Sequence, residues 1–204
     1  GVRDRDVLER ACELGLAMQL TNIARDVGED ARNQRLYLPR EWLEHEGIDP
    51  DQWLQHPEFN DAISRVIQRL ICYADDLYQR ASLGIAGLPR NCRSAIAAAS
   101  LIYSEISRQI ERQGLDSISN RAVVSKKRKI VLLLKSLQSS IYSSKSNRTL
   151  SKISAIQFLV DAVQPEAPYA HYTGSVEDRL IWVVGLIEKI ERRKVQSFES
   201  LAQH

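Results

Sequence analysis

The sequence contains little cysteine, with only three residues of this type among 204. Cys12, Cys72 and Cys92 are far apart, odd in number, and match neither a CxxC motif nor the spacing of zinc ligands. The four histidines also show no ligand spacing. These absences give no support for a disulfide framework or a zinc site, and they predict three reduced, mostly buried thiols in a cytosolic protein.

Long apolar runs are absent as well. The longest are IVLLL at 130–134 and LIWVVGLI at 180–187, far short of the roughly 20 residues that span a bilayer. No signal peptide is visible, and a net charge of +2 gives no case for nucleic acid as a partner. The sequence begins at Gly1 and its one methionine is Met18, which predicts a fragment or trimmed product of a longer protein.

Most of the chain instead repeats apolar residues at a helical period, and no segment reads convincingly as a strand. The predicted fold class is therefore all-α, in a large helical bundle. Residues 144–149, SKSNRT, have the composition of a linker between a main part, 1–143, and an extension, 150–204. The predicted helices and helical turns cover about 5–31, 39–46, 49–57, 57–84, 90–113, 125–143, 150–163 and 175–195.

The most informative stretch is QLTNIARDVGEDARNQRLYLP, at 19–39. Four polar residues share one stripe of its helix, namely Gln19, Asn22, Asp26 and Asp30. At about 100° per residue they fall within about 80° of arc, and this arc lies beside the apolar face rather than opposite it. The pattern predicts a polar-lined cavity between packed helices.

The two acidic residues of this stripe suggest a metal site. Asp26 and Asp30 are four residues apart in the last turns of the predicted helix, where mutual repulsion and the helix dipole both disfavour anions. A compensating cation is therefore expected. Carboxylates, with Asn22 as a neutral oxygen donor one turn earlier, suit Mg²⁺ completed by water and phosphate oxygens. A solvated helix face without a ligand is the alternative, and the residue types alone leave both open.

The same stretch resembles the second aspartate-rich region of the squalene and phytoene synthase family, the head-to-head prenyl synthases. ADDLYQRASLGIAGLP at 74–89 and AIAAASLIYSEISRQIERQGLDSISNRAVVSKKRK at 95–129 resemble the next two helical segments of the family, in the same order. The resemblance covers about residues 1–137 and is closest to bacterial members of the phytoene branch. It implies an isoprenoid-synthase-type helical bundle, with 1–143 as its C-terminal part. Residues 150–204 lie outside the resemblance, and the amphipathic stripe between Leu180 and Ile190 predicts that they form an accessory helical extension.

The resemblance also implies a reaction, the head-to-head condensation of two isoprenyl diphosphates through a cyclopropyl diphosphate. Mg²⁺, or alternatively Mn²⁺, would bind the diphosphates and help them leave. The expected substrate is geranylgeranyl diphosphate and the expected product is phytoene, in carotenoid biosynthesis. Two alternatives stay open: squalene or dehydrosqualene formation from farnesyl diphosphate, and a non-catalytic helical relative that keeps the fold for assembly or partner binding.

Matching position by position, the resemblance implies the roles of single residues. Asn22, Asp26 and Asp30 would ligate the metal. The implied catalytic residues are Asp26, Asp30 and Arg25, together with two tyrosines of the cavity, Tyr37 within RLYLP and Tyr103 within LIYSEI. The implied substrate-binding residues are Gln19, Asn22, Arg25, Arg35 and Arg121.

The chain departs from the family pattern in one respect. The family's first aspartate-rich helix, a DELVD-like sequence well upstream, has no counterpart in these 204 residues. The adjacent Asp75 and Asp76 do not replace it, and they are predicted to lie on a solvated face. The chain alone is therefore expected to be inactive unless it is complemented.

A basic run at 126–129, KKRK, is compatible with an anionic partner, either substrate diphosphate or a membrane surface. The alternative is a solvated basic face. The expected location is the cytoplasm with peripheral membrane contact, and the oligomeric state is left open.

Overall fold

Seven α-helices make up the computed structural model, counted over the residues that the structure describes, 4–142, 151 and 153–163. They are α1 (Arg5–Arg32), α2 (Arg40–His45), α3 (Pro50–Gln55), α4 (Asp61–Ser82), α5 (Arg90–Arg112), α6 (Lys126–Tyr142) and α7 (Ser154–Asp161). A 3₁₀ turn, Ile85–Gly87, lies between α4 and α5, and the described residues form no β-strand. The all-α prediction is confirmed.

Capping residues explain where two of these helices begin and end. Helix α4 starts at Asp61 and not at the predicted residue 57, because the Asn60 side chain caps it by accepting the Ile63 N–H at 2.9 Å. Helix α5 is followed by Gly114, whose φ of +73° lies in the left-handed region. Glycine adopts that conformation without steric cost, so the chain can turn back there.

Helix α1 is central to the fold, because it packs against α4, α5 and α7. Three of its fully buried residues are alanines: Ala17 and Ala24 are 0% exposed and Ala31 is 1% exposed. Small side chains let neighbouring helices approach closely, and the branched residues of α4, such as Ile63 and Ile67, fill the space beside them. Helix α6 packs against α5, and all described residues belong to one compact unit that covers Gly1–Pro165.

A buried ion-pair network ties the first half of α1 to α4. The Glu13 side chain is 0% exposed, and it accepts hydrogen bonds from Arg80 Nε at 2.9 Å and Nη2 at 2.6 Å. Arg10 Nη1 lies 3.0 Å from the other Glu13 oxygen. Because removing one partner would leave a buried charge uncompensated, the network fixes the relative positions of the two helices.

Two predictions about surface residues are wrong. The cysteines are free but not buried, since Cys72 is exposed and the other two are partly exposed on the flanks of their helices. Asp75 does not lie on a solvated face, because it forms an ion pair with Arg108 of α5, and only its neighbour Asp76 is exposed. In both cases helical periodicity leaves open which flank the next helix covers.

Three further predictions concern the end of the chain. Helix α7 (Ser154–Asp161) falls within the predicted helix at 150–163. The predicted linker at 144–149 and the predicted helix at 175–195 lie outside the described residues. None of the described helices combines the length and the hydropathy that a membrane crossing requires.

Candidate functional site

The polar stripe of α1 lies along the border between the core and the surface. Val27 and Ala24 are buried in the core, while Asn22, Asp26 and Asp30 are partly buried beside them. Gln19, which the sequence places on the same stripe, is exposed. The predicted stripe is therefore present for its last three members, which follow one another at intervals of about one helical turn.

Asp26 is held by two arginines. Arg25 donates to it through Nε at 2.8 Å and Nη2 at 2.6 Å, and Arg121 donates through Nε at 2.8 Å. The Asp26 side chain is only 18% exposed. Burial on its own would raise the pKa of Asp26, but the hydrogen bonds from Arg25 and then Arg121 outweigh it and hold that pKa below its usual value. Asp26 is therefore a fixed negative charge.

Asp30 has a different environment one turn later. Burial raises the pKa of Asp30, and the negative charge of Asp26 raises it further, while the cation of Arg35 opposes both effects. The chain folds back at this point, because the Arg35 N–H donates to the backbone carbonyl of Asp30 at 2.9 Å. Asp30 and Arg35 border a small hollow that Tyr37 also lines.

Asn22 carries a polar atom without a partner. Its Oδ1 is buried and has no hydrogen-bond partner in the structure. A buried acceptor left unsatisfied costs about 1–3 kcal/mol, so the position is suited to a ligand. Together with Asp26 and Asp30 it offers oxygen donors of the kind that Mg²⁺ and Mn²⁺ prefer. The described residues contain no group of three or more His, Cys, Asp and Glu that could hold a metal, so an amide would have to complete this one.

A cleft of about 270 Å³ opens beside Arg25, which precedes Asp26 on α1. Its cationic residues are Arg25, Arg121 and Lys129, and Tyr103 borders it on α5. The remaining lining residues are apolar: Ile102, Ile106, Ala122, Val123 and Val124. A cleft with cations and an apolar wall can hold an anionic head with a hydrocarbon tail.

The structure brings some of the predicted site residues together and not others. Arg25, Arg121 and Tyr103 line the cleft. Tyr37 is 54% exposed and lines the small hollow beside Asp30 rather than the cleft, and Arg35 also lies at this hollow. Gln19, Asn22, Asp26 and Asp30 do not line the cleft. Asp26 is joined to it through the side chains of Arg25 and Arg121, which both donate hydrogen bonds to Asp26.

Lys129 is a lining residue that the sequence does not single out. Its signal is the basic run at 126–129, but the run alone does not distinguish the four residues. The structure does, because Arg128 is paired with Glu105 at 2.9 Å while Lys129 borders the cleft.

Comparisons with known proteins agree with this fold. Residues 1–128 match the squalene/phytoene synthase family. Phytoene synthase of Cereibacter sphaeroides is 53% identical over 132 residues, which cover 65% of this chain and 37% of that protein. Phytoene synthase of Rhodobacter capsulatus is 48% identical over 143 residues, which cover 70% of this chain and 42% of that protein.

A solved structure shows the same relationship. A dehydrosqualene synthase in complex with a ligand superimposes with a TM-score of 0.61 at 32% identity, covering 68% of this chain and 48% of that one. The chain thus spans less than half the length of these relatives. It belongs to the squalene/phytoene synthase family.

Proposed function

We propose that this chain carries the second metal- and diphosphate-binding region of a phytoene synthase. The reaction joins two geranylgeranyl diphosphates head to head, through a cyclopropyl diphosphate, and gives phytoene for carotenoid biosynthesis. In this proposal, residues 1–143 belong to the C-terminal part of the synthase bundle. The observation that carries the proposal is that Arg25 and Arg121, which line a cationic and apolar cleft, both bind Asp26 of the polar stripe. This site lies within a stretch 53% identical to a phytoene synthase.

The donors on α1 suit a divalent cation. Asn22 offers a buried oxygen that has no other partner, and the carboxylates of Asp26 and Asp30 follow on the same side of the helix. These three residues would hold Mg²⁺ or Mn²⁺. When bound, the cation supplies positive charge that stabilises a departing diphosphate.

The remaining residues of the cleft serve the two products of ionisation. An allylic diphosphate that ionises leaves a diphosphate anion and a carbocation. Arg25, Arg121 and Lys129 stabilise the anion through charge-assisted hydrogen bonds. The ring of Tyr103 and the isoleucines around it shelter the cation and exclude water. No serine or cysteine nucleophile is needed for this chemistry.

A second candidate is the condensation of farnesyl diphosphate to squalene or dehydrosqualene. The similarity to a solved dehydrosqualene synthase favours it. The two reactions use the same diphosphate chemistry and differ in the length of the hydrocarbon tail. The depth of the complete cavity, to which the rest of the bundle contributes, therefore decides between them.

Product analysis of a chimera tests the proposal. Residues 1–128, which match the family, replace the aligned segment of the Cereibacter sphaeroides phytoene synthase. We expect the chimera to convert geranylgeranyl diphosphate to phytoene in the presence of Mg²⁺, and to use farnesyl diphosphate poorly. Preferential use of farnesyl diphosphate would favour the second candidate. A folded chimera that uses neither substrate would contradict both and favour a non-catalytic relative.

We also propose that helix α6 contacts an anionic membrane surface. Ile130, Leu134 and Leu137 are 57%, 63% and 55% exposed, and they fall within about 60° of arc. Between Asp116 and Asp161 the sequence has nine Lys and Arg residues and no acidic residue. An exposed apolar stripe on a helix with basic residues around it is typical of helices that lie in a lipid interface.

Vesicle flotation tests the membrane contact. We expect the chain to float with vesicles that contain phosphatidylglycerol and not with pure phosphatidylcholine. The double variant K126Q/K127Q should weaken this binding by about tenfold or more, because each basic residue near an anionic surface contributes about 1 kcal/mol. Leu134→Ser should also weaken it.

Phe158→Ser is the matched control, since Phe158 is 68% exposed on α7. It should leave binding nearly unchanged. If Leu134→Ser and Phe158→Ser weakened vesicle binding equally, a lipid-facing α6 would be contradicted. Self-association of the chain in place of vesicle binding would contradict it as well.

A further inference from the structure

The carboxylate of Asp26 is almost fully occupied. Its Oδ1 accepts hydrogen bonds from Arg25 Nε and Arg121 Nε, both at 2.8 Å, and its Oδ2 accepts one from Arg25 Nη2 at 2.6 Å. A carboxylate offers about four acceptor sites, so three of them are already used. A metal ion that approaches Asp26 must therefore displace at least part of this arrangement.

The same contacts occupy the arginines. Arg25 is only 19% exposed, and its guanidinium donates two parallel hydrogen bonds to Asp26. Arg121 is 55% exposed and lies 3.4 Å from Glu29 in addition to its contact with Asp26. A diphosphate that enters the cleft therefore meets two guanidinium groups whose charge is largely neutralised.

Lys129 contrasts with the two arginines. It lines the same cleft, and within the described part of the chain its ammonium group forms no ion pair. Its charge is available to an anion from the start. Among the described residues of the cleft, Lys129 is therefore a cation without an ion-pair partner. Arg25 and Arg121 are both paired with Asp26, the proposed metal ligand.

We propose that Arg25 and Arg121 exchange partners when ligands bind: they are the counter-ions of Asp26 before binding and pass to diphosphate once a divalent cation binds Asp26. This inference rests on the proposed function of the site. Metal alone must displace arginines that gain no new partner, and diphosphate alone must compete with Asp26 for them. When both bind, each displaced group finds an opposite charge. The two ligands therefore bind with positive coupling, which by linkage acts equally in both directions.

Arg121 is the first group to be released, because it is the more exposed and makes a single hydrogen bond to Asp26. It acts as a positioning residue for Asp26 before binding and as a diphosphate ligand afterwards. Its loss should accordingly affect the two ligands in opposite directions. Loss of a residue that only maintains the fold would weaken the binding of both ligands.

Binding of Mn²⁺ alone to the full chain, measured from the EPR signal of free Mn²⁺, gives the first test. We expect Arg121→Gln to tighten Mn²⁺ binding by about threefold or more, since a charge-assisted hydrogen bond no longer competes for Asp26. Lys129→Gln removes one positive charge from the same cleft without touching Asp26, and it should stay within about twofold of the wild type, as expected for a screened charge.

Binding of inorganic pyrophosphate alone, measured by calorimetry with a chelator present, gives the second test. We expect Asp26→Asn to tighten pyrophosphate binding by about threefold or more, because two arginines become available. Asp30→Asn removes a negative charge one turn away that is not bound to either arginine. It should change pyrophosphate affinity by less than about twofold.

The outcomes separate this inference from the function on which it rests. Equal effects of Arg121→Gln and Lys129→Gln on Mn²⁺, or of Asp26→Asn and Asp30→Asn on pyrophosphate, would overturn the exchange and leave the ligand site intact. Weaker binding of both ligands by Arg121→Gln would also overturn the exchange. Failure of the folded wild-type chain to bind either ligand, alone or together, would overturn the proposed function and the exchange with it.

Discussion

Replacement of Asp26 by Asn is expected to lower phytoene formation by the chimera by about 10²–10³-fold, which is the typical loss when one preorganised electrostatic contact to a reacting group is removed. Asp26 is the stripe residue that two arginines hold at the edge of the cleft. Its pKa lies below the usual value, so the residue is charged at neutral pH. The amide removes this charge with almost no change of volume, and steady-state kinetics with geranylgeranyl diphosphate measure the loss.

Asp76→Asn is the control for that experiment. Asp76 is exposed on α4, and its substitution removes the same charge from the surface without touching the cleft. Activity should stay within about twofold of the parent chimera, as is usual for surface positions. Thermal unfolding of both variants separates loss of activity from loss of fold. Near-normal turnover by Asp26→Asn in a folded chimera would contradict the role of Asp26 as a ligand of metal or diphosphate.

The helices of this fold depend closely on local sequence. Helix α1 is predicted at 5–31 and lies at Arg5–Arg32. The prediction is close because the apolar residues and the polar stripe of this segment both recur at the helical period. The predicted start of α4 is four residues too early. There a single side chain, Asn60, sets the boundary by capping, and apolar periodicity does not register that contact.

The partners of the site cannot be read from local sequence. Arg121 is 95 residues from Asp26 along the chain, and it reaches Asp26 only because the segment after α5 returns to α1. The resemblance to the family suggests Arg121 as a diphosphate ligand but not as a counter-ion. Gln19 shows the opposite case, since it shares the helical stripe but is exposed. Periodicity gives the angular position of a side chain, whereas burial depends on what the distant chain covers.

The return of that segment depends on Gly28. The Gly28 N–H lies 3.0 Å from the Ser117 carbonyl, and a Cβ at position 28 would lie 2.3 Å from the Ile118 carbonyl oxygen and 2.7 Å from its Cα. These are backbone atoms, and the Ile118 N–H donates a hydrogen bond to the Asp116 side chain at 3.1 Å. The backbone of Ile118 therefore cannot move aside without breaking the turn that leads to Arg121.

We expect Gly28→Ala to lower the free energy of unfolding of the chain by about 1–3 kcal/mol, the usual cost of overpacking. Differential scanning calorimetry should show a lower Tm, by about 2–4 °C for each kcal/mol. Because the displaced segment carries Arg121, the variant should also lose affinity for pyrophosphate in the presence of Mg²⁺. A loss of stability without a change in pyrophosphate affinity would contradict the claim that this turn positions Arg121 in the cleft.

Gly15→Ala is the matched control on the same helix. A Cβ at Gly15 meets no atom within 4 Å, and the residue is exposed in the interior of α1. This substitution should raise stability by about 0.5–1 kcal/mol, because glycine loses more conformational freedom than alanine when a helix forms. The two variants make the same chemical change in one helix and should move Tm in opposite directions. If both raised Tm, the close approach at Gly28 would be wrong, and the contact between Arg121 and Asp26 would lose its structural basis.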